Sequence, residues 1–483
     1  MNERSIGAAS LTRQLGDWRA GGGGPAYRRL ADALRLLILD GRLPLGGRLP
    51  GERELAAALG VSRTTVTAAF VLLRDELYLA SRQGSGSVTR VPGPQAARPE
   101  RDGARPDGDV IDFAVAAPAA SESAHFAYRR ALEMLPPHLA GPGHEPVGLE
   151  PLRRAIAERY TRLSCPTVPE QVMVTNGALH GFALVLKLLA GPGDRVVIDH
   201  PTYPHAIDAI QHAACRAVPV GLHGHGWDVE ALEAAIRQTS PRLAFLIADF
   251  HNPTGLCMDR GTRVRVAELA ARTRTTMVVD ETLADLWLDA PPPPPLAAFD
   301  EAERVIALGS TSKAYWGGLR IGWIRASRPT IEALARVRPT IDLGSPVLEQ
   351  LAAGVLLEGE SGLDARRERL RDQRQTLLGL LARYFPDWRV RVPSGGLSLW
   401  AELPEASGAP LAAAALSYGV RIAAGSRFGV DGAFARFIRL PYALREAELE
   451  RGIARLAEAY QAVRAAGRRL PDSLRLGSLE EVY

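Results

Sequence analysis

The segment Gly309-Ser310-Thr311-Ser312-Lys313-Ala314-Tyr315-Trp316-Gly317-Gly318-Leu319-Arg320 brings together groups that can hold an aldehyde covalently and a phosphate by charge. Lys313 is one of only two lysines in 483 residues, although lysine and arginine together number 58. A lysine retained where arginine serves nearly everywhere else points to a task that needs a neutral amine, such as attack on a carbonyl. The other, Lys187, lies in an apolar helical run and reads as one solvated residue. Ser310, Thr311 and Ser312 on one side of Lys313, with Arg320 on the other, can grip a phosphate from two directions. A covalently held aldehyde that also carries a phosphate points to pyridoxal 5'-phosphate, and Lys313 is its expected Schiff-base nucleophile.

Such a site needs a scaffold, and the chain around it alternates helical patterns with short apolar runs. The runs are 171–174, 195–198, 243–247, 276–279 and 305–308, which read as buried strands of a central, mostly parallel sheet. A helical pattern such as 149–163 fits between them, so the expected class is α/β. In these sheets ligands bind beyond the carboxyl ends of the strands. The residues found there form a consistent set. Gly177, Ala178 and Leu179 open a helix whose amides can hold a phosphate. Tyr203 offers a ring to stack on a planar cofactor, Asn252 an amide for a phenolic oxygen, and Asp280 a carboxylate able to keep a pyridine nitrogen protonated.

In this order before Lys313, these pieces resemble the fold-type I aminotransferases, from about residue 111 to 456. The resemblance implies that Lys313 carries pyridoxal 5'-phosphate, Asp280 pairs with the ring nitrogen, Tyr203 stacks on the ring and Asn252 bonds the ring oxygen. It implies that Gly177, Ala178, Leu179, Ser310, Ser312 and Arg320 hold the phosphate. It also implies that Arg439, in Phe437-Ile438-Arg439-Leu440-Pro441-Tyr442 of a smaller C-terminal α+β subdomain, grips a substrate carboxylate. Two stretches depart from the family pattern. Glu281-Thr282-Leu283 follows Asp280 where a tyrosine is usual, and Gly143–Gly148 lacks the tyrosine that reaches the partner subunit's phosphate.

Upstream lies a separate basic module. Apolar positions from Tyr27 to Asp40 fall at helical spacing, Glu52 to Leu59 forms a second helix, and Ser62 can cap a third from Arg63 to about Leu73. That is a helix-turn-helix pattern, followed by two short β-like pieces (77–79 and 87–89) joined through Arg82-Gln83-Gly84-Ser85-Gly86. Val66, Ala69, Phe70 and Leu73 are expected in the core, with Arg63, Thr64 and Thr65 facing DNA. The stretch from Leu49 to Val66 and the glycine-rich turn closely resemble the winged helix of GntR-type regulators. The DNA-facing set on this reading is Arg53, Ser62, Arg63, Thr64, Thr65, Arg82, Gln83 and Gly84. Gly51 and Leu77 replace the usual serine and glycine, and Gly51 leaves the second helix without a side-chain cap.

Composition bounds the rest. The net charge of +4 is spread unevenly, with arginine concentrated from Tyr27 to Arg90. Three scattered cysteines imply neither a disulfide framework nor a metal site. No apolar stretch reaches the roughly 18 residues needed to span a bilayer, and the polar start is not a signal peptide, so a cytoplasmic protein is expected. The expected division is a flexible arm over 1–24 ending in four glycines, a winged helix over 25–90, a linker over 91–110, an aminotransferase-like domain over 111–466 with its small subdomain from about 361, and a tail over 467–483.

A winged helix joined to an aminotransferase-like domain is similar to the MocR group of bacterial regulators. That resemblance implies a transcription factor that binds operator DNA, works as a head-to-tail homodimer, and responds to pyridoxal 5'-phosphate or to an amino acid or amine captured at Lys313. The rival expectation is a working aminotransferase with a DNA-binding arm. A sensor of pyridoxal phosphate itself is a third, differing only in effector.

Overall fold

The computed structural model describes residues 6–19, 25–39, 42–44, 46–76, 78–82, 86–90, 110–224, 226–359, 362–405 and 407–468. Gln83, Gly84, Leu77, most of the linker and the tail after 468 lie outside them.

The N-terminal unit comprises α1 (Ala8–Leu15), α2 (Ala26–Leu39), α3 (Glu52–Leu59), α4 (Arg63–Asp75) and an antiparallel hairpin of β1 (Leu79–Arg82) and β2 (Gly86–Thr89). Val66, Ala69, Phe70 and Leu73 of α4 are buried, as their helical spacing predicts. They meet Leu30, Leu34, Leu37 and Ile38 of α2. At the start of α4 the Ser62 hydroxyl accepts from the Thr65 amide at 3.2 Å, whereas α3 begins at Gly51 with no side-chain cap. Glu52 instead ties α3 to α4, accepting from Thr67 Oγ1 at 2.7 Å and from Arg74 Nη2 at 3.1 Å.

One expectation is overturned here. Residues 6–19 do not form a free arm: α1 buries Leu11 and Leu15, and Trp18 follows them into the winged-helix core. The glycine run masks this, because the short segment before it is amphipathic and finds its apolar partner on other helices. Wing strand β1 also begins at Leu79, two residues later than expected.

After the linker, β3 (Ile111–Phe113) joins the small subdomain before the chain enters the large one. The large sheet contains β4 (Val172–Thr175), β5 (Arg195–His200), β6 (Arg216–His223), β7 (Gly226–Trp227), β8 (Leu243–Leu246), β9 (Thr276–Asp280), β10 (Val305–Ser310) and β11 (Gly322–Arg325). Their spatial order is β4-β11-β10-β9-β8-β5-β6-β7. Helices cover both faces, so the central strands are continuous apolar runs, each buried side chain worth about 1.5–3 kcal/mol. The sheet is mostly parallel, but β11 runs antiparallel to both neighbours, which brings Arg320 back beside the start of the helix Ala178–Leu189.

The small sheet has the order β12 (Arg389–Val390), β13 (Ser398–Glu402), β15 (Phe437–Pro441), β14 (Val420–Ala424), β3. The winged helix docks onto this subdomain. Leu36 of α2 is buried in the small-subdomain core, and the backbones of Gly16 and Gly432 touch: a Cβ on Gly16 would stand 2.7 Å from the Gly432 Cα. Both glycines have positive φ, +53° and +75°, so the contact needs glycine on each side. Among the described residues no helix is long and apolar enough to cross a membrane.

Candidate functional site

A cavity of about 300 Å³ lies between the large sheet and the small subdomain. Lys313, Asp280, Gly177, Ala178, Leu179, Tyr203, Asn252, Ser310, Ser312, Arg320 and Arg439 all line it, so the residues singled out at the strand ends converge on one place.

At one end is a cradle for an anion. Gly177 precedes the helix Ala178–Leu189 at φ +93° and offers no side-chain cap, so the first amides of that helix face the cavity. A Cβ at Gly177 would lie 2.9 Å from Arg320 Nη2, and one on Gly322 would lie 2.6 Å from the Gly177 carbonyl carbon. Backbone and guanidinium thus close on the same point. Arg320 is held there by a 3.0 Å hydrogen bond from Nη2 to the Asn176 carbonyl. Ser310 Oγ donates to Ser312 Oγ at 2.9 Å, which presents both hydroxyls to the cradle. Thr311, the third hydroxyl of the cluster, turns away: it is fully buried and donates to the Ile321 carbonyl at 2.9 Å.

Lys313 reaches into the middle of the cavity, where Nζ donates to the Ala116 carbonyl at 2.9 Å. Burial, followed by the nearby charge of Arg439, pushes its amine down to about 8, with Asp280 pulling the other way. Asp280 ends β9 and accepts from the Thr282 amide at 2.8 Å. Burial raises its carboxyl above the usual carboxylate range, against the pull of the Thr282 hydrogen bonds and Lys313. A buried carboxyl of this kind, facing a cavity, is suited to a cationic ring nitrogen that would restore its charge.

Tyr203 lies on the wall before the helix Pro204–His212, its hydroxyl pushed up to about 12 by burial and then by Asp280. Asn252 comes from the turn after β8, and its Oδ1 accepts from Arg439 Nη1 at 3.2 Å. Arg439, on β15, also donates through Nη2 to the Ala114 carbonyl and rests 5.1 Å above the Phe428 ring. Its Nε is buried with no hydrogen-bond partner. Burial, then the charge of Arg427, lowers its guanidinium to about 10. This buried donor group, the cradle and the Lys313–Asp280 pair together fit pyridoxal 5'-phosphate and a carboxylate-bearing ligand.

The absent tyrosine has a structural counterpart. Thr282 and Leu283 line the cavity in its place, while Glu281 points into the protein and accepts from the Tyr160 hydroxyl at 2.7 Å. In the Gly143–Gly148 stretch, Gly148 has φ +93° and a Cβ there would stand 2.4 Å from Val174 Cγ2. Sequence reasoning missed Ala114 and Ala116, whose carbonyls accept from Arg439 and Lys313. It also missed Arg427 and Phe428. Both groups reach the cavity from segments outside the large sheet, so strand-end logic does not find them.

The expected DNA-facing residues sit on the winged helix. Arg53, Ser62, Arg63 and Thr64 are exposed at the starts of α3 and α4, and Thr65 is half-buried. Ser62 Oγ lies 2.7 Å from Thr64 Oγ1 and 2.8 Å from Thr65 Oγ1, which orders the hydroxyls of that first turn. Arg82 ends β1 opposite Gly86.

Comparison with known proteins matches both units. Residues 26–88 fit the gntR family of bacterial regulatory proteins, and residues 142–456 fit aminotransferase class I and II. The chain is 30% identical to the probable rhizopine catabolism regulatory protein MocR of Rhizobium meliloti, over 75% of this chain and 78% of that protein. It is 28% identical to the HTH-type transcriptional regulator YdcR of Escherichia coli, over 88% and 96% of the two. Among solved structures it is similar to LysN, the alpha-aminoadipate aminotransferase of Thermus thermophilus, with a TM-score of 0.69 and 29% identity over 74% of this chain and 93% of that one. The aminotransferase class I and II fold family depends on pyridoxal phosphate. A GntR winged helix fused to this domain marks a DNA-binding transcription regulator, and the chain belongs to the MocR subfamily of GntR-type regulators.

Proposed function

We propose that this regulator binds pyridoxal 5'-phosphate in the Lys313 cavity and that the cofactor, or an amino acid or amine captured through it, sets how the winged helix meets DNA. When bound, the cofactor supplies an electrophilic carbon for amines and an electron-withdrawing ring. Lys313 would hold it, with a share of its amine neutral near pH 8. Gly177, Ala178, Leu179, Ser310, Ser312 and Arg320 would bind the phosphate. Asp280 would hold the ring nitrogen protonated, Tyr203 would pack on the ring, Asn252 would donate to the ring oxygen, and Arg439 would orient a carboxylate.

The observation that carries the regulatory reading is a single short segment with two faces. Arg427 and Phe428 line the ligand cavity, while Ser426, Gly432 and Ala435 line a cleft against Gln14, Leu15, Trp18 and Leu36 of the winged-helix unit. The same segment is tied to the large domain, since the Thr202 amide donates to the Phe428 carbonyl at 2.7 Å and the Val430 amide donates to His200 Nε2 at 3.1 Å. A ligand that favours one placement of this segment over another therefore favours one placement of the winged helix. The head-to-tail homodimer that the MocR resemblance implies belongs to the same reading, and exposed apolar side chains on the large domain, including Phe126, Leu132, Leu139, Ile341 and Leu343, are available to a subunit interface.

The test is the affinity of the full chain for DNA flanking its own gene, with and without pyridoxal 5'-phosphate and candidate amino acids. The reading expects affinity to change with ligand. A working aminotransferase is the second reading, favoured by 31% identity to the 2-aminoadipate transaminase of Thermus thermophilus over 66% of this chain and 81% of that one. Sustained turnover of an amino acid with a keto acid, without a specific DNA site, would decide for it.

A further inference from the structure

We infer that Asp342 is a positioning residue for the phosphate cradle: from outside the cavity it fixes Asn176, and Asn176 sets both the Gly177 turn and Arg320. The inference rests on the reading above, that this cradle holds the phosphate of pyridoxal 5'-phosphate, and it adds the group that keeps the cradle in shape.

Asn176 is the single residue between the end of β4 at Thr175 and the Gly177 turn. Three of its polar groups are engaged. Its carbonyl accepts from Arg320 Nη2 at 3.0 Å, its amide donates to His180 Nδ1 at 3.0 Å, and its side-chain Nδ2 donates to Asp342 Oδ2 at 2.9 Å. The planar peptide group that carries the Asn176 carbonyl also carries the Gly177 amide. A turn of Asn176 therefore displaces the guanidinium and the backbone of the cradle together.

Asp342 does not line the cavity, yet donors surround its carboxylate. Oδ2 accepts from Asn176 and lies 3.1 Å from His180 Nε2, while Oδ1 accepts from Arg338 Nε at 2.6 Å and from the Gly344 amide at 3.0 Å. Arg338 is fully buried and is anchored to β4 through the Val174 carbonyl at 2.5 Å and to the Pro146 carbonyl at 2.8 Å. The carboxylate is thus held against the strand that delivers Asn176. His180 completes the arrangement as a neutral ring. Its Nδ1 is bare, since it accepts from the Asn176 amide, and the carboxylate beside Nε2 selects that tautomer. Burial holds the imidazole below its ordinary value against the pull of Asp342. An amide cannot replace this carboxylate. Asparagine has one acceptor oxygen, so whichever way it turned, its NH2 would face other N–H groups.

The experiment titrates the full-length chain with pyridoxal 5'-phosphate and with pyridoxal, which has the same ring and aldehyde but no phosphate, and follows the visible band. Asp342→Asn is expected to raise the half-saturating concentration of pyridoxal 5'-phosphate about tenfold, the scale of one charge-assisted hydrogen bond, while leaving that of pyridoxal unchanged. His180→Leu releases the Asn176 amide without touching the Arg338 pair, and is expected to give the same selective loss at about threefold. This second variant keeps the test decisive where the unpaired, buried Arg338 unfolds the first. Unchanged affinity for pyridoxal 5'-phosphate in both variants, or an equal loss for the two aldehydes in both, overturns the inference and leaves the cofactor reading intact. No visible band when the unmodified chain meets pyridoxal 5'-phosphate overturns both.

Discussion

Asn252 Oδ1 accepts a hydrogen bond from Arg439 Nη1 at 3.2 Å, joining a turn of the large domain to a strand of the small subdomain across the ligand cavity. With its oxygen engaged, the amide has only its NH2 group to offer a ring oxygen. The group expected to bind the cofactor and the group expected to bind a carboxylate are therefore mechanically linked.

Removing the carboxylate grip should separate ligand binding from cofactor binding. In Arg439→Ala the half-saturating concentration of a carboxylate-bearing amino acid should rise about 10-fold to 100-fold, as loss of a two-bond ion pair predicts. The visible band of the bound cofactor should persist. An unchanged titration would mean that the ligand lacks a carboxylate or that pyridoxal 5'-phosphate alone is sensed.

Cofactor capture should depend on pH through Lys313. Its amine is pushed down to about 8, and only the neutral form attacks a carbonyl, so the capture rate should fall about tenfold per pH unit below that value and level off above it. The sign follows from burial and Arg439, both of which disfavour the charged ammonium. Stopped-flow measurement of band formation from pH 6 to 10 checks this. A profile still rising through pH 10 would place the amine in an ordinary solvated environment.

Arg63 is exposed at the first turn of α4, with Ser62, Thr64 and Thr65 hydrogen-bonded beside it. Arg63→Ala should weaken DNA binding and, if it contacts a phosphate, reduce the slope of log affinity against log salt by about 1. The cofactor band should not move, because the side chain is remote from the cavity. Unaltered DNA affinity would remove Arg63 from the interface.

Much of this arrangement was legible in the sequence, for a physical reason. Strands covered on both faces must be apolar throughout, so Val196–Ile198 and Val305–Leu308 stand out, and the polar residues after them, Tyr203 and Lys313, mark the ligand side. The recognition helix was equally clear, since Val66, Ala69, Phe70 and Leu73 keep strict helical spacing. The rest depended on distant partners. Nothing local says that Leu11 and Leu15 pack on the winged helix, because an eight-residue amphipathic helix is marginal alone and gains its stability from the surface it meets. Likewise Arg427 and the Ala114 and Ala116 carbonyls become part of the site only when the small sheet pairs β3 with β14.

The contact between the two units predicts a separable variant. Gly432 has φ +75°, and a Cβ there would stand 2.6 Å from the Gly16 Cα, so Gly432→Val should force the winged helix off the small subdomain. DNA binding should survive but become insensitive to ligand, with the cofactor band intact. A variant that still responds normally would place the coupling elsewhere.

The central claim is that occupancy of the Lys313 cavity is read out on DNA. Its most direct test is fluorescence anisotropy on DNA flanking the gene, comparing the unmodified chain and Lys313→Ala, each with and without pyridoxal 5'-phosphate. The unmodified chain should change affinity by at least about fivefold on adding the cofactor, whereas Lys313→Ala should lose the visible band and show one affinity in both conditions. Equal affinities for the unmodified chain with and without bound cofactor, and with amino acid added, would contradict the account.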